Sequence, residues 1–262
     1  MNNIQEIYEK VKRRERINEG DALRLYEEGA LEVLQQLAHQ IRIDKHNDKA
    51  FYNRNIHFEP TNKCVYACKF CSFARKPKAT AEEGVWDFGT EELKVQLDKY
   101  PVGALSEVHI TGGVHPDRGV EFGEELVSFI KKERPEIHVK AFTAVEITWM
   151  AKLSKLSIAE TLKKLKKAGL DSLPGGGAEI FDSAIRRKIA GGKAPADRWL
   201  EVHREAHRVG LSSNATMLYG HIEEYSHRVD HMSRLRQLQD ETGGFNSFIP
   251  LRYRNENNSM SN

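Results

Sequence analysis

The sequence predicts an α/β fold, a parallel sheet dressed with helices behind an N-terminal helical extension, and three observations carry that prediction. From Ile56 onward, short strand-like runs alternate with amphipathic helical stretches, the pattern of βαβ units. Polar and glycine-rich residues gather at the ends of those strands, and the first fifty residues read instead as charged helices. At 262 residues the chain fits one large domain or two small ones, and α/β barrels occupy this length as a single domain. A hydrophobic content of 39% suffices for a core, while the 30% of charged residues nearly cancel at +2, so no overall field recruits nucleic acid or an anionic membrane. No apolar run approaches the roughly eighteen residues of a membrane span, and the start, Met1-Asn-Asn-Ile-Gln-Glu, lacks the apolar stretch of a leader. The expectation is a soluble, cytoplasmic protein.

Taken in order, Ile4, Ile7, Tyr8 and Val11 share one helical face, and the pattern breaks around Asn18-Glu-Gly20. Asp21 is read as the cap of a second helix, in which Leu23, Tyr26, Ala30, Leu34 and Leu37 recur at helical spacing. The basic run Lys12-Arg13-Arg14 has no interleaved aromatic residues and reads as a solvated face. Strands are predicted at 56–60, 107–111, 137–142, 170–174, 211–218 and 245–250. Helices fall between them: one at 90–100, one bearing Phe122, Leu126, Phe129 and Ile130, and one opened by a Ser157/Glu160 capping box. Two more carry Trp199, Val202 and Ala206, and Val229, Met232, Leu235 and Leu238.

All three cysteines stand in Asn62-Lys-Cys-Val-Tyr-Ala-Cys-Lys-Phe-Cys-Ser-Phe-Ala-Arg75, at the end of the first strand. Cys64, Cys68 and Cys71 are spaced C-x3-C-x2-C, so one loop can turn three thiolates to a common point. An odd count and no leader disfavour a disulfide framework, and clustering in a hydrophilic loop disfavours three scattered core residues. A Cys3His zinc site competes, with eleven histidines available, but zinc loops usually bring two ligands from each of two places and no second pair is present. An iron–sulfur cluster has four thiolate positions to fill, and with three cysteines one iron is left without a protein thiolate.

The other strand ends converge with this loop on one rim, where α/β sheets and barrels place their sites. They are Thr111-Gly-Gly-Val-His-Pro116, Thr143-Ala-Val-Glu146, Pro174-Gly-Gly-Gly-Ala-Glu179 and Tyr219-Gly-His-Ile-Glu223. Each has a plain structural alternative. The glycines serve turns, Glu146 and Glu179 suit helix N-termini, His115 and His221 suit structural roles, and Tyr66, Phe70 and Phe73 can pack the loop or stack a purine.

Cys64-x3-Cys68-x2-Cys71, with Phe70 before the last cysteine and Thr111-Gly112-Gly113 one strand later, resembles the radical S-adenosylmethionine (SAM) superfamily. Within it, residues 109–116, 140–147, 169–181, 199–203 and above all Ser-Asn-Ala-Thr-Met-Leu-Tyr-Gly-His-Ile-Glu (213–223) resemble the aminodeoxyfutalosine synthase family of menaquinone biosynthesis. Cyclic dehypoxanthine futalosine synthases and the tyrosine-using component of deazaflavin synthesis share the general pattern. The resemblance implies a transferase with a [4Fe–4S] cluster on Cys64, Cys68 and Cys71, whose open iron takes SAM, here consumed as a co-substrate. It further implies Phe70 near adenine, Gly112 and Gly113 at the methionyl amino group, and Glu146 at the ribose. For the dianionic substrate, 3-[(1-carboxyvinyl)oxy]benzoate, the candidates are His115, the amides of Gly175, Gly176 and Gly177, Arg198 and His221, with Thr216 and Tyr219 lining the pocket. His115, Thr216 and Tyr219 are also the candidates for a catalytic role. An electron donor such as flavodoxin or ferredoxin is implied, with no nucleic acid or membrane partner. Because that family is longer, the expected architecture is a partial (β/α) TIM-like barrel: residues 1–50 a helical extension, and 51–262 a radical SAM core lacking the last strand or strands, its sixth strand an open edge.

Overall fold

The computed structural model describes residues 3–261; Met1, Asn2 and Asn262 lie outside the described residues. Helix α1 (Ile4–Lys12) is closed by a reciprocal Asn3/Glu6 capping box. The next stretch corrects the sequence reading twice. Asn18 is the cap of α2 (Glu19–Glu28), with Asp21 three residues inside completing the box. The single helix expected through Leu37 is two, because Gly29 and Ala30 are extended before α3 (Leu31–His46) begins.

The barrel portion then runs β1 (Asn55–Phe58), α4 (Thr90–Leu97), β2 (Glu107–Ile110), α5 (Val120–Glu133), β3 (His138–Ala141), α6 (Ala144–Leu153) and α7 (Ile158–Ala168). It continues with β4 (Ser172–Leu173), α8 (Ser183–Ala190), α9 (Ala196–Arg208), β5 (Ser212–Tyr219), α10 (Tyr225–Thr242) and β6 (Phe245–Arg252). All six strands are parallel and neighbours in chain order, from β1 to β6. That is the half-barrel the sequence implies, closed on its outer side by helices.

Alternation along the strands decides which face is which. Phe58, Val108, Ile110, Val139, Ala141 and Leu173 join Leu93, Leu126, Ile130, Leu162, Leu165 and Trp199 in one core between sheet and helices. The residues between them, polar almost throughout, face the inside of the curve. Two helices escaped the sequence reading. Helix α6 starts directly after β3 and buries Ala144, Val145, Glu146, Ile147, Met150 and Ala151; a helix apolar nearly all round shows no stripe to detect. Helix α8 is short and starts at an Asp182 cap, its side chain accepting from the Ala184 and Ile185 amides.

The N-terminal helices seat on α10. Tyr26 stacks on Tyr225 with ring centres 4.9 Å apart, the Ser233 hydroxyl donates to Glu19 at 2.5 Å, and Arg236 donates to the Ile17 carbonyl at 2.9 Å. Among the described residues no helix is long and apolar enough to cross a membrane.

Candidate radical site on the cysteine loop

The cysteine loop is held from below by backbone and from the side by one arginine. Cys64 N–H donates to the Arg75 carbonyl and Arg75 N–H to the Asn62 carbonyl, so the loop closes on itself. The Arg75 guanidinium then collects the carbonyls of Ser72, Phe73, Ala74 and Glu83. Strand β2 meets the loop at its glycines. Gly113 N–H donates to Thr61 O at 2.7 Å, and a Cβ on Gly113 would stand 2.2 Å from the Lys63 carbonyl oxygen. The pair is therefore needed for close approach of two backbones. From the far side, Lys69 N–H donates to Ile189 O at the end of α8, and Ser259 N–H donates to Lys69 O.

This folding brings Cys64, Cys68 and Cys71 to one cavity of about 120 Å³, shared with Phe70, Gly112, Gly113, Thr143, Val145, Gly177 and Lys193. Burial pushes the Cys68 thiol up to about 11, against the pull of the nearby Lys193 cation; a coordinated metal is what deprotonates a thiol in such surroundings. Among the described residues no three His, Cys, Asp or Glu side chains are grouped to hold a single metal ion. A set of three soft sulfur donors around a cavity, rather than a point, fits a cluster with one iron left open.

Lys193 and Arg186 are the residues that sequence reasoning missed. Lys193 Nζ lies 2.5 Å from Glu179 and 5.7 Å from the Phe70 ring centre, and both members of the ion pair are nearly enclosed. Burial pushes the Glu179 carboxyl up, but Lys193 outweighs it and holds the group below its ordinary range. Arg186, 4% exposed, donates to the carbonyls of Gly177, Ala178 and Ala194 and so fixes both the triple-glycine turn and the Lys193 loop. The signal was present as Arg186 on the Ile185/Ile189 face, but only once α8 is known to be a helix.

The remaining sequence candidates fall in several places. Glu146 does not line the cysteine cavity but the adjoining one, with His115, Arg118 and Trp149. Its carboxylate accepts from Gly112 N–H at 3.2 Å, Thr143 N–H at 2.8 Å and the Thr143 hydroxyl at 2.7 Å, which makes it the partner of the Thr143 cap in the capping box of α6 and a strut under the glycine pair. His115 stands 3.2 Å from Asp87, which also pairs with Lys63 and Arg118. Gly175 and Gly176 are pinched: a Cβ would meet Asn214 O at 2.7 Å and the Thr143 methyl at 2.9 Å. Thr216 donates its hydroxyl to Gly175 O at 2.5 Å. Tyr219 lies under the Arg228 guanidinium, 5.3 Å from its ring centre. Arg198 is exposed and paired with Glu201. His221 lines a separate cleft of about 1150 Å³ with Lys69, Lys188, Arg252 and Arg254.

The sequence profile of the Radical SAM superfamily matches residues 58–235. The chain belongs to the radical SAM superfamily. The chain is 46% identical to an aminodeoxyfutalosine synthase of Thermus thermophilus over 97% of its own length and 68% of that protein's. To a cyclic dehypoxanthine futalosine synthase of Streptomyces coelicolor it is 37% identical, over 94% of itself and 62% of the relative. It thus spans about two thirds of the length of these curated relatives. Among solved structures, the FeFe-hydrogenase maturase HydG from Carboxydothermus hydrogenoformans superposes with a TM-score of 0.77 at 16% identity, covering 98% of this chain and 58% of that one. That likeness shows the fold. Radical SAM enzymes use a [4Fe–4S] cluster and SAM, and the chain is a homologue of the aminodeoxyfutalosine synthases.

Proposed function

We propose that this chain joins the 5′-deoxyadenosyl unit of SAM to the enol-ether carbon of 3-[(1-carboxyvinyl)oxy]benzoate, with rearrangement, loss of carbon dioxide and a one-electron oxidation that gives back the electron spent on cleaving SAM, to give 6-amino-6-deoxyfutalosine. The observation that carries the reading is the likeness to an aminodeoxyfutalosine synthase, closer by nine percentage points than to the sister enzyme compared above (46 minus 37). Cys64, Cys68 and Cys71 would hold the cluster; when bound, cluster and SAM supply a 5′-deoxyadenosyl radical by reductive cleavage. A low-potential donor such as flavodoxin or ferredoxin would provide the electron.

The chain's own part is to hold, orient and shield. Phe70 offers an aromatic face inside the cavity, and Gly112 and Gly113 bring bare backbone to its wall. Lys193 is the buried cation there, placed for a carboxylate such as that of the methionyl group. Arg186 keeps the Lys193 loop from opening, which limits access of water to a reactive intermediate.

Anaerobic reconstitution with iron and sulfide, followed by reduction with dithionite in the presence of SAM and the enol ether, tests the reading by mass analysis of products. The expected outcome is a nucleoside adduct carrying both the adenine and the benzoate. If 5′-deoxyadenosine is the sole SAM-derived nucleoside, hydrogen abstraction replaces addition and a sister activity takes its place. Zinc at one equivalent without acid-labile sulfide would end the radical reading.

A further inference from the structure

The inner face of the half-barrel carries a row of polar side chains at a single level. In the strand registers His57 stands opposite His109, His109 opposite Lys140, Lys140 opposite Ser172, and Ser172 opposite Ser212. Their chain neighbours Ile56, Phe58, Val108, Ile110, Val139, Ala141 and Leu173 belong to the helix-packed core, so the two-residue period sends the row to the concave side. Barrels of this type ordinarily fill that space with branched apolar side chains. Two imidazoles, an ammonium and two hydroxyls stand there instead; Ser172 bonds His138 at 2.7 Å, Ser212 accepts from Asn246 at 2.9 Å and His57 Nε2 bonds Thr111 at 2.8 Å, which leaves the buried Nε2 of His109 and the spare protons of Lys140 to meet a polar occupant.

The donors at this level are only partly used. His57 and His109 stack with ring centres 4.8 Å apart, and His109 Nε2 is buried with no hydrogen-bond partner among the described residues. Burial, and the charges of His57 and Lys140, push His109 down to about 4, so its ring is neutral at pH 7. Lys140 Nζ gives one of its three protons to Glu107 at 2.8 Å. Glu107 sits one register step nearer the strand starts and is also held by Asn55 at 3.1 Å. The pair therefore secures Lys140 from beneath. Along β2 the same face runs Glu107, His109, Thr111, Gly113; at about 3.3 Å per residue the row lies roughly 13 Å below Gly113, which borders the cysteine cavity.

We propose that His57, His109 and Lys140 form the floor of the substrate pocket and bind an organic carboxylate. On the reading given under Proposed function, on which this rests, the anion is one of the two carboxylates of the aryl enol ether, and the row sets which end of it points toward the radical. A cation is disfavoured because Glu107 is already occupied by Lys140 and Asn55.

The probe is 3-methoxybenzoate, with methyl 3-methoxybenzoate as its uncharged twin, titrated calorimetrically into the cluster-loaded full chain with SAM present. The acid is expected to bind and the ester to bind about tenfold more weakly or less, the effect of losing charge-assisted hydrogen bonds. Two variants separate site from fold. His57→Gln alters a ring that is half exposed, and the double change Lys140→Met, Glu107→Gln removes the buried pair together, so no lone charge is stranded. Each should weaken the acid about tenfold and leave SAM binding and the melting temperature near the parent's. Equal binding of acid and ester, absence of acid binding, or unchanged acid affinity in both variants overturns the proposal. If the variants lose acid binding while the parent makes no adduct, the floor stands and the proposed reaction fails. An adduct formed by the variants with unchanged KM fails the floor and keeps the reaction.

Discussion

Glu146 shows how one side chain serves two elements at once. Burial pushes its carboxyl up to about 7, although Thr143 and Gly112 donate three hydrogen bonds that pull it down. The sign of the consequence follows from linkage. Between its ordinary value near 4.5 and about 7, the folded chain holds a proton that the unfolded chain has lost, so this group's contribution to stability falls as pH rises through that window. Glu146→Gln cannot ionise and should flatten that part of the profile, while giving up one acceptor at the cap at a cost of about 1 kcal/mol. Melting temperature measured from pH 4.5 to 8 on both chains checks this; parallel profiles would show that Glu146 does not titrate there. The sequence offered Glu146 both as a ribose ligand and as a helix N-terminal charge. The geometry shows the second of these roles, within a box whose Thr143 and Glu146 are three apart, a spacing visible in the sequence but hidden by the absence of any stripe in α6.

At the scale of elements, the strands and most helices were legible because their apolar residues repeat with the right period, and the cysteine loop because three reactive side chains crowd into eight positions, 64 to 71. What escaped depends on contacts between distant segments. The Lys193 and Glu179 pair joins two turns fourteen residues apart, and the inward row of His57, His109 and Lys140 exists only once β1, β2 and β3 are in register. The junction of β2 with the cysteine loop is of the same kind, and it makes a test. Gly113→Ala would place a methyl 2.2 Å from the Lys63 carbonyl oxygen and 2.8 Å from its carbon, both backbone atoms that a rotamer change cannot move aside. The strand is packed on the core, so the loop is the part that shifts. We expect the variant to stay folded at a cost of roughly 1–3 kcal/mol, yet to retain less than about half the iron and sulfide of the parent after reconstitution, since three ligands must keep a common centre. Full retention of both would show that the glycine answers to turn geometry alone.

Across the whole molecule, the half-barrel leaves its last strand paired on one side. Among the described strands β6 pairs with β5 alone, and from Phe245 to Leu251 it carries no charged side chain. Phe248 and Ile249 are each 40% exposed and Leu251 49%. Pro250 withholds one donor, as edge strands tolerate, but the length and apolar character of the strand still make it a template for another chain. The N-terminal helices do not relieve this, because their contacts run to α10. Among the described residues no further strand pairs the free side of β6. The chain should therefore self-associate as its concentration rises, and Ile249→Lys, which sets a charge in mid-edge without disturbing the ladder to β5, should shift it toward monomer with little change in melting temperature. Sedimentation velocity over a range of concentrations reads both. Association of the parent that the lysine leaves untouched would move the contact elsewhere, and two monomeric chains would show that residues 253–261, which fold back over the cysteine loop through Ser259 and Met260, already hold neighbours off the strand.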